Sequence, residues 1–302
     1  MKKMIFSLLA IAAMTSCTTT SEDEIDPNAP VEINFGAGIN MMSRAIIESN
    51  DAGLVTNAIT GIQILRGADG ATPKFNEVAS VTTTGDLQTN GTFTNITTAQ
   101  YFKSPTEAAN FIAYYPAGET LEAGKVSYTI DGTTDIIIAD AVKLPFSTTD
   151  KTVNFLFKHK LARLKLVVKA ATSEAATFYG NLTAAKINVP TALDMTFDEA
   201  GVSTLDANAT PVNADLDFGQ VTLATGDGVS PTADLMLLPA TLTKINLTFE
   251  HVAAKNYTIN NLSLVAGNIT TLTITVNEIG VEFTSAVSKW ETGGTNGTTT
   301  VE

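Results

Sequence analysis

Residues 31–39 alternate without interruption. Val31, Ile33, Phe35, Ala37 and Ile39 share one parity and Glu32, Asn34, Gly36 and Gly38 the other, the period-two pattern of a strand with one buried face and one facing water. Short alternations of the same kind recur to the far end of the chain. They predict strands at 58–65, 77–82, 92–97, 110–115, 125–130, 135–139 and 152–157. Asp69-Gly70, Asn90-Gly91 and Asp131-Gly132 supply turn signals among them. Residues 105–109 are expected to form a single helical turn. Thr, Val, Ile, Ala and Asn are abundant, and no long segment carries apolar residues at helical spacing. An all-β fold follows.

A second series of alternations starts at Leu161, with Leu164, Leu166 and Val168 set against Arg163, Lys165 and Lys169. It continues at 186–189, 214–223, 233–238, 244–251, 257–264 and 268–276. The two series divide near 158–160 without a Gly, Pro or Ser-rich linker, so two abutting domains are expected, 45–158 and 159–302. Near the end the apolar parity slips. Leu272, Ile274 and Val276 are even, whereas Ile279, Val281, Phe283 and Val287 are odd. A bulge or bend near Asn277 and Glu278 should therefore begin a separate last strand over about 279–290, ending at Trp290. Residues 291–302, rich in Gly, Thr and Asn, are expected to be disordered.

The first sixteen residues have the parts of a bacterial secretory signal: Lys2 and Lys3, an apolar run from Ile5 to Met14, and small residues before Cys17. The run is too short to span a bilayer. Thr15-Ser16-Cys17 resembles a lipobox, in which cleavage precedes the cysteine and Cys17 takes the lipid; a plain signal peptide with an incidental cysteine is the alternative. Residues 17–30 are polar, acidic and proline-punctuated, the composition of a flexible tether. Cys17 is the sole cysteine, which excludes intrachain disulfides and multi-thiolate metal sites. A net charge of -13 disfavours nucleic acid and anionic lipid as partners.

Catalytic chemistry has few candidates. The two histidines, His159 and His251, belong to no nucleophile, zinc or nucleotide motif. His159, beside the junction of the two series, is expected to serve packing or hydrogen bonding. Asp215 and Asp217 share one strand face, but two carboxylates fall well short of calcium's ligand number. No enzyme activity and no cofactor are expected.

Arginine is scarce, present only at 44, 66 and 163. Arg44 follows the first strand in a segment that reads as an exposed connection, and a cut after it would free that strand. Removing Val31, Ile33, Phe35 and Ile39 would leave an apolar groove lined by unpaired backbone groups, which another strand would be driven to fill. Alternatively, Arg44 is an ordinary solvated loop residue.

Several segments together resemble the fimbrillin family of Bacteroidetes, the subunits of type V pili. They are Asn110-Phe-Ile-Ala-Tyr-Tyr-Pro-Ala117, Asp135-Ile-Ile-Ile-Ala-Asp140, Phe157-Lys-His-Lys-Leu-Ala-Arg-Leu164, Leu237-Leu-Pro239, and the ending from Leu264 to Val276 followed by a strand to Trp290. The acidic cluster after Cys17 likewise resembles the surface-export signal of lipoproteins from these bacteria. The resemblance implies two tandem transthyretin-like β-sandwich domains and a precursor held in the outer membrane by lipid on Cys17. It implies cleavage between Arg44 and Ala45 by an arginine-specific surface protease, removing residues 31–44. It further implies head-to-tail polymerisation with other pilin subunits into a fimbrium that supports adhesion to a host or bacterial ligand. Val281, Phe283, Val287 and Trp290 would anchor the donated strand. A surface glycan-binding lipoprotein of β-sandwich type is the competing expectation. Seven percent aromatic residues and one tryptophan leave little for stacking sugar rings.

Overall fold

A computed structural model describes residues 30–39, 47, 52–231 and 233–289. Cys17, Arg44, Ala45, Trp290 and the 291–302 tail lie outside the described residues. The first half contains β1 (Glu32–Ile39), β2 (Ile59–Arg66), β3 (Thr83–Leu87), β4 (Phe93–Thr94), β5 (Gln100–Tyr101), β6 (Ala109–Tyr115), β7 (Thr120–Glu122), β8 (Lys125–Thr129), β9 (Ile137–Leu144) and β10 (Thr152–His159). The second half contains β11 (Ala162–Ala170), α1 (Ser173–Tyr179), β12 (Leu182–Pro190), β13 (Ala192–Phe197), β14 (Ser203–Ala207), β15 (Asn213–Asp217), β16 (Leu235–Leu237), β17 (Thr241–Phe249), β18 (Lys255–Ser263), β19 (Asn268–Asn277) and β20 (Gly280–Lys289). The fold is all-β, built of stacked sheets.

The largest sheet has the order β4-β3-β2-β6-β9-β10-β1-β5. β6 and the first residues of β9 are buried on both faces, which explains why 111–114 and 136–139 read as continuous apolar runs rather than alternations. One face holds Ile64, Phe111, Ala113, Ile137, Phe155 and Phe157 around β1. The other holds Leu65, Ile112, Tyr114, Ile136 and Ile138 against Val126, Leu193 and Met195. That second core is closed by a sheet ordered β14-β13-β8-β7, so the β13–β14 hairpin from the second half completes a layer begun in the first. Burial pushes the Tyr114 phenol up to about 12.

The remaining two sheets, β16-β11-β19-β20 and β15-β12-β17-β18, enclose a core that includes Leu166, Val168, Ile187, Leu247, Leu272 and Ile274. Helix α1 caps one end, with Tyr179 against Phe249 at 4.9 Å between ring centroids. The strand readings missed this helix, although its signals were present. The Thr172 hydroxyl accepts a hydrogen bond from the Ala175 N–H at 3.1 Å, and Gly180 ends the helix at a φ of 66°.

Several expectations fail locally. Of 214–223 only the part within Asn213–Asp217 is a strand. Residues 77–82 are not a strand: a 3-10 turn at Phe75–Glu77 fully buries Phe75, and β3 starts only at Thr83. In 92–97 only Phe93–Thr94 form a strand, because Asn95 turns the chain with a φ of 52°. Residues 105–109 form no helical turn; bends lead directly into β6. Of the bulge or bend expected near Asn277 and Glu278, the structure has the bend, a tight hairpin turn that starts the separate strand β20. Asn277 pairs with Gly280 across a two-residue loop, and the Asn277 side-chain oxygen accepts from the Ile279 N–H at 3.0 Å. Reversal around that loop places Val276 opposite Val281, so residues of opposite parity share a face.

His159 holds the junction together, with Nδ1 2.7 Å from Asp135 Oδ2 and both side chains fully buried. The next residue, Lys160, donates to the Ser203 carbonyl at 2.9 Å, tying the junction to β14, and burial pulls its ammonium below the ordinary lysine value. His159→Ala leaves Asp135 buried without this partner and should cost about 3 kcal/mol, read as a lower urea midpoint with an unchanged slope.

Candidate assembly site

The first strand sits inside a sheet, not on its margin. β1 runs parallel to β10, from Asn34 opposite Thr152 to Ile39 opposite Phe157, and antiparallel to β5 through Glu32–Tyr101 and Ile33–Gln100. The sheet also curls back on itself: Gly36 bridges Thr92, and the Ala37 N–H donates to the Gly91 carbonyl at 2.8 Å. β1 therefore spans two walls, β10 on one side and the 91–101 segment on the other.

The alternation expected of this stretch is present. Ile33, Phe35 and Ala37 are only 2%, 7% and 8% exposed, while Glu32 and Asn34 face solvent. Val31 is half-buried, and its carbonyl accepts from the Phe102 N–H at 3.0 Å. Phe35 is the centre of an aromatic cluster, edge-on to Phe111 at 5.3 Å and Phe93 at 6.3 Å and stacked on Phe155 at 6.0 Å. Burial of Ile33 and Phe35 contributes roughly 1.5 to 3 kcal/mol each. On the outer face a Cβ at Gly36 would stand 2.6 Å from Asn154 Oδ1, the tip of an exposed side chain.

Two of the three arginines are held by carboxylates within or beside strands. Arg66, at the end of β2, grips Asp69 at 3.0 Å with both side chains largely buried. It also donates to the Tyr101 carbonyl at 2.7 Å and lies 5.4 Å from the Phe111 ring centre, so it fastens β5 beside the groove. Arg163, in β11, donates to Asp234 through Nε at 2.7 Å.

The last strand is an edge strand. β20 pairs along its length with β19, and among the described residues no strand lies beside its other edge. Val281 and Phe283 are half-buried against the adjacent core, with Phe283 6.0 Å from Tyr257 of the facing sheet. Val287 is 40% exposed. β1 and β20 thus lie in different sheets, and the fold does not bring them together within one chain.

The outer face of the β15-β12-β17-β18 sheet forms a concavity of about 510 Å³ whose lining includes Lys186, Asn188, Asp215, Lys244, Asn246 and Asn256. Its amides are engaged with neighbours: Asn188 donates to Asp215 at 2.7 Å and Asn246 to Asn256 at 2.9 Å. No aromatic residue lines it. Asp217 accepts from the Ala185 and Gly219 N–H groups at 3.1 and 2.9 Å. Among the described residues no helix is long and apolar enough to cross a membrane.

A model of the fimbrillin-like family matches residues 44–290. The chain belongs to the fimbrillin-like family. A Bacteroides uniformis protein assigned as fimbrium subunit Fim1C is 31% identical to this fimbrillin-like chain over 319 residues, spanning 99% of each. The fold is shared with crystal structures of two proteins assigned to cell adhesion. One, from Bacteroides uniformis, has a TM-score of 0.59 at 24% identity, covering 86% of this chain and 99% of its own. The other, from Bacteroides ovatus, has a TM-score of 0.58 at 17% identity, covering 88% and 100%. These relatives are fimbrial and adhesion proteins, not enzymes.

Proposed function

We propose that this chain is a structural subunit of a cell-surface fimbrium. It is exported as a lipoprotein precursor on Cys17, matured by cleavage between Arg44 and Ala45, and polymerised when a strand from a neighbouring subunit replaces β1. The observation that carries the reading is the position of β1: a strand at the start of the chain, seated between β10 and β5 and followed within a few residues by Arg44. Three features support it. The other two arginines are engaged by Asp69 and Asp234, the family match begins at Arg44 and leaves β1 outside it, and β20 offers an unpaired edge.

The energetics run in the direction of exchange. Leaving β19 costs β20 one ladder, whereas entering the groove gives it partners on both sides, each net hydrogen bond contributing about 1 kcal/mol. A contact between unlike surfaces that does not close generates an open head-to-tail polymer. The glycan-binding alternative has no aromatic platform in the polar concavity to recommend it.

The test is brief digestion of the purified precursor with an arginine-specific protease, followed by N-terminal sequencing, intact mass and electrophoresis without boiling. One product beginning at Ala45, with detergent-resistant oligomers appearing as the 31–44 segment leaves, is the expected result. Resistance at Arg44, or cleavage with no change in assembly, would overturn the reading.

A further inference from the structure

β20 repeats the side-chain pattern of β1. Residues 31–39 read Val-Glu-Ile-Asn-Phe-Gly-Ala-Gly-Ile, and residues 279–287 read Ile-Gly-Val-Glu-Phe-Thr-Ser-Ala-Val. With Phe283 set on Phe35, Ile279 falls on Val31, Val281 on Ile33, Ser285 on Ala37 and Val287 on Ile39. Each odd-numbered position of 31–39 keeps its class in the second segment: branched aliphatic, branched aliphatic, aromatic, small, branched aliphatic.

No other placement does this. A one-residue slip turns the whole apolar set to the solvent face. Sliding β20 by two residues one way puts Ser285 into the space of Phe35 and Val287 into that of Ala37. Sliding it the other way forces Phe283 into the space of Ala37. Reversing the strand about Phe283 puts Ser285 in place of Ile33 and Val281 in place of Ala37. Cores penalise both the void and the overfilled site by a few kcal/mol, and the Phe35 pocket, walled by Phe93, Phe111 and Phe155, is shaped for a ring.

We infer that the groove takes β20 of a second copy of this chain in that single register, parallel to β10, with Phe283 in the Phe35 pocket. The inference rests on the strand-exchange reading above and adds the direction and register. Its one tight point is on the outer face. Thr284 would stand where Gly36 does, and its Cβ would meet Asn154 Oδ1 at 2.6 Å, the next contacts being at 3.5 Å. Asn154 is exposed and only the tip of its side chain must swing aside. Ala286 in place of Gly38 would press lightly on the Gly53 carbonyl at 3.3 Å.

Engineered disulfides read the register directly. In the full-length precursor carrying Cys17→Ala, Asn154→Cys is combined in turn with Glu282→Cys, Thr284→Cys or Ala286→Cys. Each variant is cleaved with an arginine-specific protease, oxidised mildly and run with and without reductant. Assembly is scored separately by detergent resistance under reducing conditions. The expected outcome is inter-subunit cross-linking through Thr284→Cys roughly ten-fold above the other two, because a disulfide demands Cα atoms within about 7 Å. Leu156→Cys, opposite Gly38 in β10, fixes the direction: it should link to Ala286→Cys in the parallel arrangement and would link to Gly280→Cys in the one reversed about Phe283. Polymer that cross-links at position 282 or 286 of the Asn154→Cys series, or nowhere, overturns the register while strand exchange stands. Absence of detergent-resistant polymer in all variants and in the Cys17→Ala parent sinks strand exchange itself and the register with it.

Discussion

Arg44→Ala should yield a folded subunit that stays monomeric in the presence of an arginine-specific protease. The effect is all-or-none because β1 cannot leave while it remains covalently joined to the body of the chain, and a tethered strand refills its own groove at a far higher effective concentration than any neighbour's strand can reach. If Arg44 lies in the exposed connection that the sequence suggests, the precursor's stability should change by no more than about 0.5 kcal/mol, leaving its thermal midpoint nearly unmoved. Electrophoresis without boiling and the melting curve check the two halves of the expectation. Arg66 gives no second route, since its guanidinium is committed to Asp69 and the Tyr101 carbonyl. Wild-type-like polymer from the variant would show that cleavage at Arg44 is not the trigger.

Phe35→Ala should separate the precursor from the polymer. In the precursor Phe35 is the hub of contacts with Phe93, Phe111 and Phe155, and its truncation opens a cavity costing about 3 to 5 kcal/mol. For a chain of this size that lowers the thermal midpoint by roughly 10 °C. Once residues 31–44 are removed the substitution is gone as well, so the polymer should match wild type in detergent and heat resistance. Digestion time courses compare the two directly: the looser precursor should also release its first strand faster, because the unpaired population of β1 rises with the loss of stability. A polymer weakened by the substitution would mean that residue 35 is retained in the fibre.

The strands themselves were legible because the signal for them is local. Period-two alternation reports which side chains point inward whatever the strand pairs with, so the inward set of β1 could be read from nine residues, as could the alternations of β10, β11 and β19. The parity slip at Asn277 was legible too, although a hairpin and a bulge leave the same trace in the apolar pattern. The α1 cap was readable in principle, but a helix this short is outweighed by the apolar residues around it.

Local pattern alone determined that this chain is all-β, that its first strand hides Ile33 and Phe35, and that a lone arginine follows that strand. Only the tertiary structure decided what the strands pair with. It set β1 beside β10 rather than beside its sequence neighbours, folded β13 and β14 back onto β7 and β8, and built the Phe35 pocket from β4, β6 and β10. The reason is that every strand offers the same backbone donors and acceptors. Partner choice therefore depends on how side chains from distant segments pack in three dimensions, and no window of sequence contains that information.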